Sequence, residues 1–160
     1  MKTCIYPGTF DPITNGHIDV VKRGLQVFDK VVLAVADNYE KKSSFSTEER
    51  VSMAKEALKN FKGKVEVVSF NGLLVNFMKK NNYSIILRGL RAMSDFESEL
   101  QLALANKKLS PNIDTFFVMT DVKYFYLSSS LVKEFASLNA DINDFVPKNI
   151  EKALKKHFCR

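Results

Sequence analysis

Cysteine is scarce in this chain. There are two among 160 residues, Cys4 and Cys159, and neither stands in metal-ligand spacing with a second thiol or a histidine. Cys4 lies inside an apolar run and reads as a small core residue. A reducing cytoplasm is therefore the expected setting. Long hydrophobic runs are absent too: nothing approaches the roughly 18 to 20 apolar residues of a membrane-spanning helix. The first residues enter a strand pattern at once, without the apolar segment of a signal peptide. Repeats, linkers and low-complexity stretches are missing. Several signatures of chemistry are also lacking. There is no G-x-G-x-x-G after a strand and no G-x-x-x-x-G-K-[ST], which argues against a dinucleotide dehydrogenase and a P-loop kinase. There is no serine nucleophile elbow, no C-x-x-C pair and no H-E-x-x-H zinc site.

What is present is an ordinary globular composition, 46% hydrophobic and 26% charged, with a formal net charge of +6. That balance favours anionic partners without choosing among nucleic acid, acidic membrane and phosphorylated small molecules. The lysines come as scattered pairs such as Lys79-Lys80 and Lys107-Lys108, the pattern of solvated helix ends. Short apolar runs alternate with helix-period segments, which signals βαβα units and a mostly parallel sheet. Strands are expected at 2–6, 30–36, 64–70, 84–88 and 114–119. Runs such as VVLAVA are apolar on both faces, as in strands covered by helices on each side. Helices are expected at 15–28, 46–60, 94–109 and 128–138, with a last one opening on Pro147. S-x-x-E capping boxes stand at STEE and SDFE. Phe96, Leu100, Ala103 and Leu104 form the expected inner stripe of the third helix, and Leu131, Phe135 and Leu138 that of the fourth. The fold class is α/β: one doubly wound, Rossmann-like domain over 1–160, with a five-stranded parallel sheet and helices on both faces.

In such sheets ligands bind beyond the carboxyl ends of the strands, where strand order reverses. The first strand leads into YPGTFDPITNGH. Gly8 frees the backbone there for a ligand or a positive φ. Thr14 is a natural N-cap, which puts Asn15, Gly16 and His17 in the first helical turn. Glycine inside a helix costs on the order of 1 kcal/mol against alanine, so Gly16 suits the close approach of an anion to a helix N-terminus. The alternative is a capping histidine at position 17 with no chemistry. After the second strand, Lys41 could reach a phosphate as a mobile charge. The fourth strand ends in RGLR, where Gly89 should break the strand and Arg88 and Arg91 form a phosphate clamp. Glu99 flanks the buried stripe of its helix, so it needs a partner in Arg88, Arg91 or a ribose hydroxyl. Ser128, Ser129 and Ser130 lead into a helix and resemble a phosphate cradle.

TNGH at 14–17 resembles the [TH]-x-G-H motif of the nucleotidyltransferase superfamily, and SSSLVK at 128–133 resembles its second motif. YPGTFDPITNGHIDVV, FSTEERV, ILRGLRAMSDFESELQLA and SSSLVKE together resemble the phosphopantetheine adenylyltransferase family over nearly the whole chain. The resemblance implies adenylyl transfer from ATP to 4′-phosphopantetheine with Mg²⁺, giving dephospho-coenzyme A and pyrophosphate in coenzyme A synthesis. It implies direct attack on the α-phosphorus and no covalent enzyme intermediate. His17, Thr9 and Lys41 become the catalytic candidates, with His17 stabilising the transition state. Thr9, Lys41, Leu74 and Arg88 become the acceptor ligands. The ATP site falls to Thr9, Phe10 through its backbone, His17, Gly89, Leu90, Arg91 and Glu99. Tyr124, Phe125, Tyr126 and Leu127 join it, with Ser128, Ser129 and Ser130 on the β- and γ-phosphates. No protein metal ligand is implied. A homohexamer and feedback by coenzyme A are family expectations, with no nucleic acid or membrane partner. Lys133, Tyr124 and Thr120 depart from the arginine, tryptophan and proline found in some relatives. The alternatives are a nucleotidyltransferase for another phosphorylated acceptor and a non-catalytic basic RNA-binding module.

Overall fold

In the computed structural model the described residues are 1–37 and 43–158, apart from the side chains at 93 and 94. Five strands form one sheet: β1 Thr3–Gly8, β2 Lys30–Asp37, β3 Val65–Asn71, β4 Ile85–Leu90 and β5 Asp114–Met119. Their order is β3-β2-β1-β4-β5, and every pairing is parallel. The helices are α1 Asn15–Gly24, α2 Thr47–Ala57, α3 Leu74–Lys80, α4 Met93–Leu109, α5 Ser129–Ser137 and α6 Lys148–Phe158. This is the doubly wound, Rossmann-like arrangement expected from the sequence, with the switch point between β1 and β4.

Alternation along the strands sorts two cores. Cys4, Leu33 and Leu87 pack with Val21 of α1, Ala54 of α2, Val132 of α5 and Ile150 of α6. Ile5, Val32 and Ile86 point to the opposite face, against Val75 and Met78 of α3. Phe96 of α4 meets Phe117 edge-on, centroids 5.9 Å apart. Helices therefore cover both faces. Burial pushes the Cys4 thiol up to about 12, which makes it an inert core residue. Among the described residues no helix is long and apolar enough to cross a membrane.

The chain enters several elements differently from the sequence expectation. Gly89 does not break β4; the strand runs on to Leu90, and Gly89 pairs with Val118. A Cβ on Gly89 would stand 2.4 Å from Val20 Cγ2, so the glycine is there to let α1 lie close on the sheet. α1 stops at Gly24, although Phe28 remains buried. The capping box at STEE forms on Ser46 and Glu49. The one at SDFE does not: α4 starts at Met93 with Ala92 as N-cap and no side-chain cap bond. An N-cap needs non-helical dihedrals, and Ser94 already lies inside the helix. The expected inner stripe of α4 is also wrong, because Leu100 and Leu104 are 37% and 62% exposed. α5 buries Val132 and Ala136 instead of the expected stripe, and Leu138 is exposed. α3 has no counterpart in the expected elements.

Candidate active site

Two clefts open at the carboxyl edge of the sheet. The first, about 320 Å³, lies over the switch point. It is walled by the β1–α1 loop, by β4 and by the approach to α5, with Thr9, His17, Gly89, Arg91 and Ser128 among its residues. The second, about 340 Å³, is mostly apolar, with Phe70, Leu73, Leu74, Ile86 and Leu102 in its wall. Pro7, Gly8, Thr9, Arg88 and Glu99 belong to both. A polar chamber and an apolar one therefore share a wall made of a loop and an ion pair.

The loop is built from its own special residues. Thr14 caps α1, and His17 closes a capping box in return. The Thr14 N–H donates to His17 Nδ1 at 3.0 Å. A backbone N–H can only donate, so Nδ1 accepts and the ring proton sits on Nε2. Burial, reinforced by the charges of Arg91 and Arg88, pulls His17 down from 6.5 to about 4. The imidazole is thus neutral at pH 7 and offers one N–H. Capping and chemistry are not alternatives here, since the cap uses one ring nitrogen and leaves the other. Of the two uses expected for Gly8, ligand approach or a positive φ, the second is not taken; Phe10 has the positive φ instead, at 48°. A Cβ on Gly8 would stand 2.9 Å from Phe10 Cζ, so the glycine admits the Phe10 ring. At Gly16 a Cβ would meet only ordinary contacts of 3.6 Å or more. Packing within the chain does not demand glycine there, and Gly16 lines the first cleft.

Both arginines are held by carboxylates. Arg88 donates through Nε and Nη2 to the two oxygens of Glu99, each at 2.5 Å, and through Nη1 to the Pro7 carbonyl at 2.8 Å. Burial pulls the Arg88 pKa down, but Glu99 more than offsets it. The expectation that Glu99 needs an arginine partner is met by Arg88. Arg91 donates to Asp95 and, at 2.9 Å, to the Leu127 carbonyl. The serines divide their duties. Ser128 caps α5 by accepting from the Leu131 N–H, and Ser129 donates to the Pro12 carbonyl at 2.7 Å. Ser130 is exposed.

A family model described as cytidylyltransferase-like matches residues 5–135. A protein named phosphopantetheine adenylyltransferase from Clostridium botulinum (strain Eklund 17B / Type B) is 54% identical over 94% of this chain and 94% of its own. A protein of the same name from Geotalea daltonii (strain DSM 22248 / JCM 15807 / FRC-32) is 50% identical over 100% of this chain and 99% of its own. One from Lawsonia intracellularis (strain PHE/MN1-00) is 49% identical over 100% and 92%. The chain belongs to the phosphopantetheine adenylyltransferase family. It is a nucleotidyltransferase.

Of the residues the sequence put forward, the first cleft gathers Thr9, Phe10, His17, Arg88, Gly89, Arg91, Glu99, Tyr124, Leu127, Ser128 and Ser129. Leu74 opens α3 and lines the second cleft. Leu90, Phe125, Tyr126 and Ser130 are not part of either lining. Lys41 lies outside the described residues, as does Cys159. Sequence reasoning passed over Asp11 and Arg50. Asp11 is buried and accepts from the Ser44 and Phe45 amides and from Lys133 Nζ, the last at 2.7 Å. Burial raises its pKa, but those three donors outweigh it and hold the carboxyl below its ordinary value. Lys133 of the second motif is thereby engaged with Asp11. The signal for Arg50 was its place on the inner side of a capped helix, where a charge is out of keeping.

Proposed function

We propose that this enzyme transfers the adenylyl group of ATP to 4′-phosphopantetheine, giving dephospho-coenzyme A and pyrophosphate in coenzyme A synthesis. One observation carries the reading: a polar cleft beside two capped helix N-termini shares Thr9 and Arg88 with an apolar cleft. The polar cleft suits a triphosphate. The apolar one suits an uncharged arm whose phosphate end reaches the shared wall. A phosphate oxygen of the acceptor attacks the α-phosphorus, and the bond from that phosphorus to the β-bridging oxygen breaks. The electron pair leaves with pyrophosphate, and no bond to the protein forms. Arg88 holds the acceptor phosphate with Thr9 and Lys41. His17 donates its Nε2–H to a non-bridging α-oxygen, where charge builds, and keeps its proton throughout. Arg91 and the α5 N-terminus with Ser128 and Ser129 steady the β- and γ-phosphates. Positioning and charge stabilisation supply the rate.

Among the described residues no group of three or more His, Cys, Asp or Glu could cage a metal. Mg²⁺ fits this site as a companion of the triphosphate, retaining much of its water. When bound it neutralises phosphate charge. Coenzyme A carries the same arm as the acceptor, so it would compete for the apolar cleft as a feedback inhibitor. Exposed Leu104, Phe116 and Met119 on α4 and the edge strand β5 support self-association, for which we propose the hexamer. The cytoplasm is the proposed setting, and neither nucleic acid nor membrane takes part.

The test is pyrophosphate release from ATP and Mg²⁺ with 4′-phosphopantetheine, nicotinamide mononucleotide or glycerol phosphate as acceptor. Release with the first alone is expected. Release with another acceptor and not with the first would refute the assignment of the apolar cleft.

A further inference from the structure

Arg50 is the most deeply buried arginine of the site region, 3% exposed. A guanidinium stays charged in any protein environment, so its hydrogen bonds have to replace water. It makes four. Nη1 donates to the Thr9 carbonyl at 2.7 Å and to the Ala36 carbonyl at 2.9 Å. Nε donates to the Phe45 carbonyl at 3.2 Å, and Nη2 to Thr47 Oγ1 at 2.8 Å. Among the described residues no carboxylate touches it. Asp37 stands one step away, accepting from the Thr47 hydroxyl at 2.7 Å. A planar, multiply donating group fits four such separate acceptors; an ammonium with three donors on one atom does not.

The Thr9 carbonyl is the informative partner. In a trans peptide the C=O and the following N–H point in opposite directions, and only the Asp11–Pro12 bond is cis among the described residues. Holding the Thr9 carbonyl toward Arg50 therefore turns the Phe10 N–H away from it. Phe10 sits at φ 48°, a region a bulky residue seldom occupies. Its N–H has no hydrogen-bond partner among the described residues, although Phe10 is 3% exposed and lines the polar cleft. Such outliers persist only where the surroundings over-determine them. Arg50 below and the Phe10 ring against Gly8 and His17 do so here.

We propose that Arg50 is a positioning residue, fixing the Thr9–Phe10 peptide so that the Phe10 N–H meets a phosphate oxygen of ATP and Thr9 meets the reacting group. The inference rests on the adenylyl-transfer reading above and adds the residue that sets its central loop.

The test uses the full chain as wild type, Arg50→Lys and Thr47→Val, the last loosening one anchor of the guanidinium without opening the core. Threonine labelled at the carbonyl carbon and phenylalanine labelled at nitrogen mark only the 9–10 and 115–116 peptides in this sequence. In wild type the Phe10 amide signal is expected to move when ATP is added, and the Phe116 signal to stay. In Arg50→Lys that movement should be lost. Its kcat should fall about 100-fold, the scale of a small misplacement of reacting groups, with both KM values within about threefold. Thr47→Val should lower kcat by about fivefold, a smaller misplacement of the same loop. A folded Arg50→Lys with kcat within twofold of wild type and an unchanged Phe10 response would overturn the proposal. If Arg50→Lys does not fold, Thr47→Val decides on the same two readouts. A wild type inert toward 4′-phosphopantetheine would refute the functional reading, while the Phe10 response to ATP would still decide the role of Arg50.

Discussion

The two ring nitrogens of His17 are not equivalent. Its Nδ1 is committed to the Thr14 N–H, and its Nε2–H is left for the cleft. Replacing it with alanine should lower kcat by about 10²–10³, the usual cost of one transition-state donor. ATP affinity, measured by calorimetry, should change little. Because the folded protein holds its pKa at about 4, the ring carbon resonance should titrate there in free protein. A midpoint near the ordinary histidine value would contradict the capped, buried geometry. The sign for stability follows: the depressed value means the unfolded chain takes the proton first. The contribution of His17 is full above about pH 6.5 and is lost as pH falls through about 4. Leu74→Asp tests the other chamber. It should raise KM for 4′-phosphopantetheine more than KM for ATP; equal changes would count against the apolar cleft as the arm site.

At the scale of elements, Gly89 carries the sharpest expectation. Its missing Cβ lets Val20 approach, so Gly89→Ala should destabilise by about 1–3 kcal/mol and push α1, with His17, off the sheet. Thermal unfolding and the His17 resonance would register both. The same residue marks where sequence reasoning reached and where it stopped. Strand periodicity located all five strands, and apolar runs correctly implied cover on both faces. Strand ends were misjudged by a residue or two, because RGL looks like punctuation until Val20 is seen against Gly89. α3 was invisible: it spans seven residues and lacks a side-chain cap, so neither period nor cap announced it. SDFE misled because a capping motif is legible only if the helix starts on its first residue. The need of Glu99 for a partner was legible, but Arg88, Arg91 and a ribose hydroxyl stood equal in the sequence, and only the fold selects Arg88. For Arg50 the sequence holds only the anomaly of a charge on the inner side of a capped helix; its partners stay hidden, because they are backbone carbonyls from three separate segments.

For the whole molecule, the misread stripe of α4 is informative. Leu100 and Leu104, four residues apart, share a helix face as a core stripe would, yet in one chain both meet solvent. The edge strand β5 adds Phe116 and Met119, 45% and 52% exposed. An edge strand with exposed apolar side chains invites pairing or cover. A paired Leu104→Lys and Met119→Lys variant should therefore run as a smaller species by light scattering. An unchanged mass would mean that association uses another face.

Following the α-phosphorus separates direct transfer of the adenylyl group between the two clefts from any route through the protein. In a single turnover with ATP labelled at that phosphorus and 4′-phosphopantetheine as acceptor, all label should pass to dephospho-coenzyme A. None should be found on acid-quenched protein at any time. Label held on the protein as the reaction proceeds would contradict direct attack. Label released as free AMP would contradict the acceptor cleft.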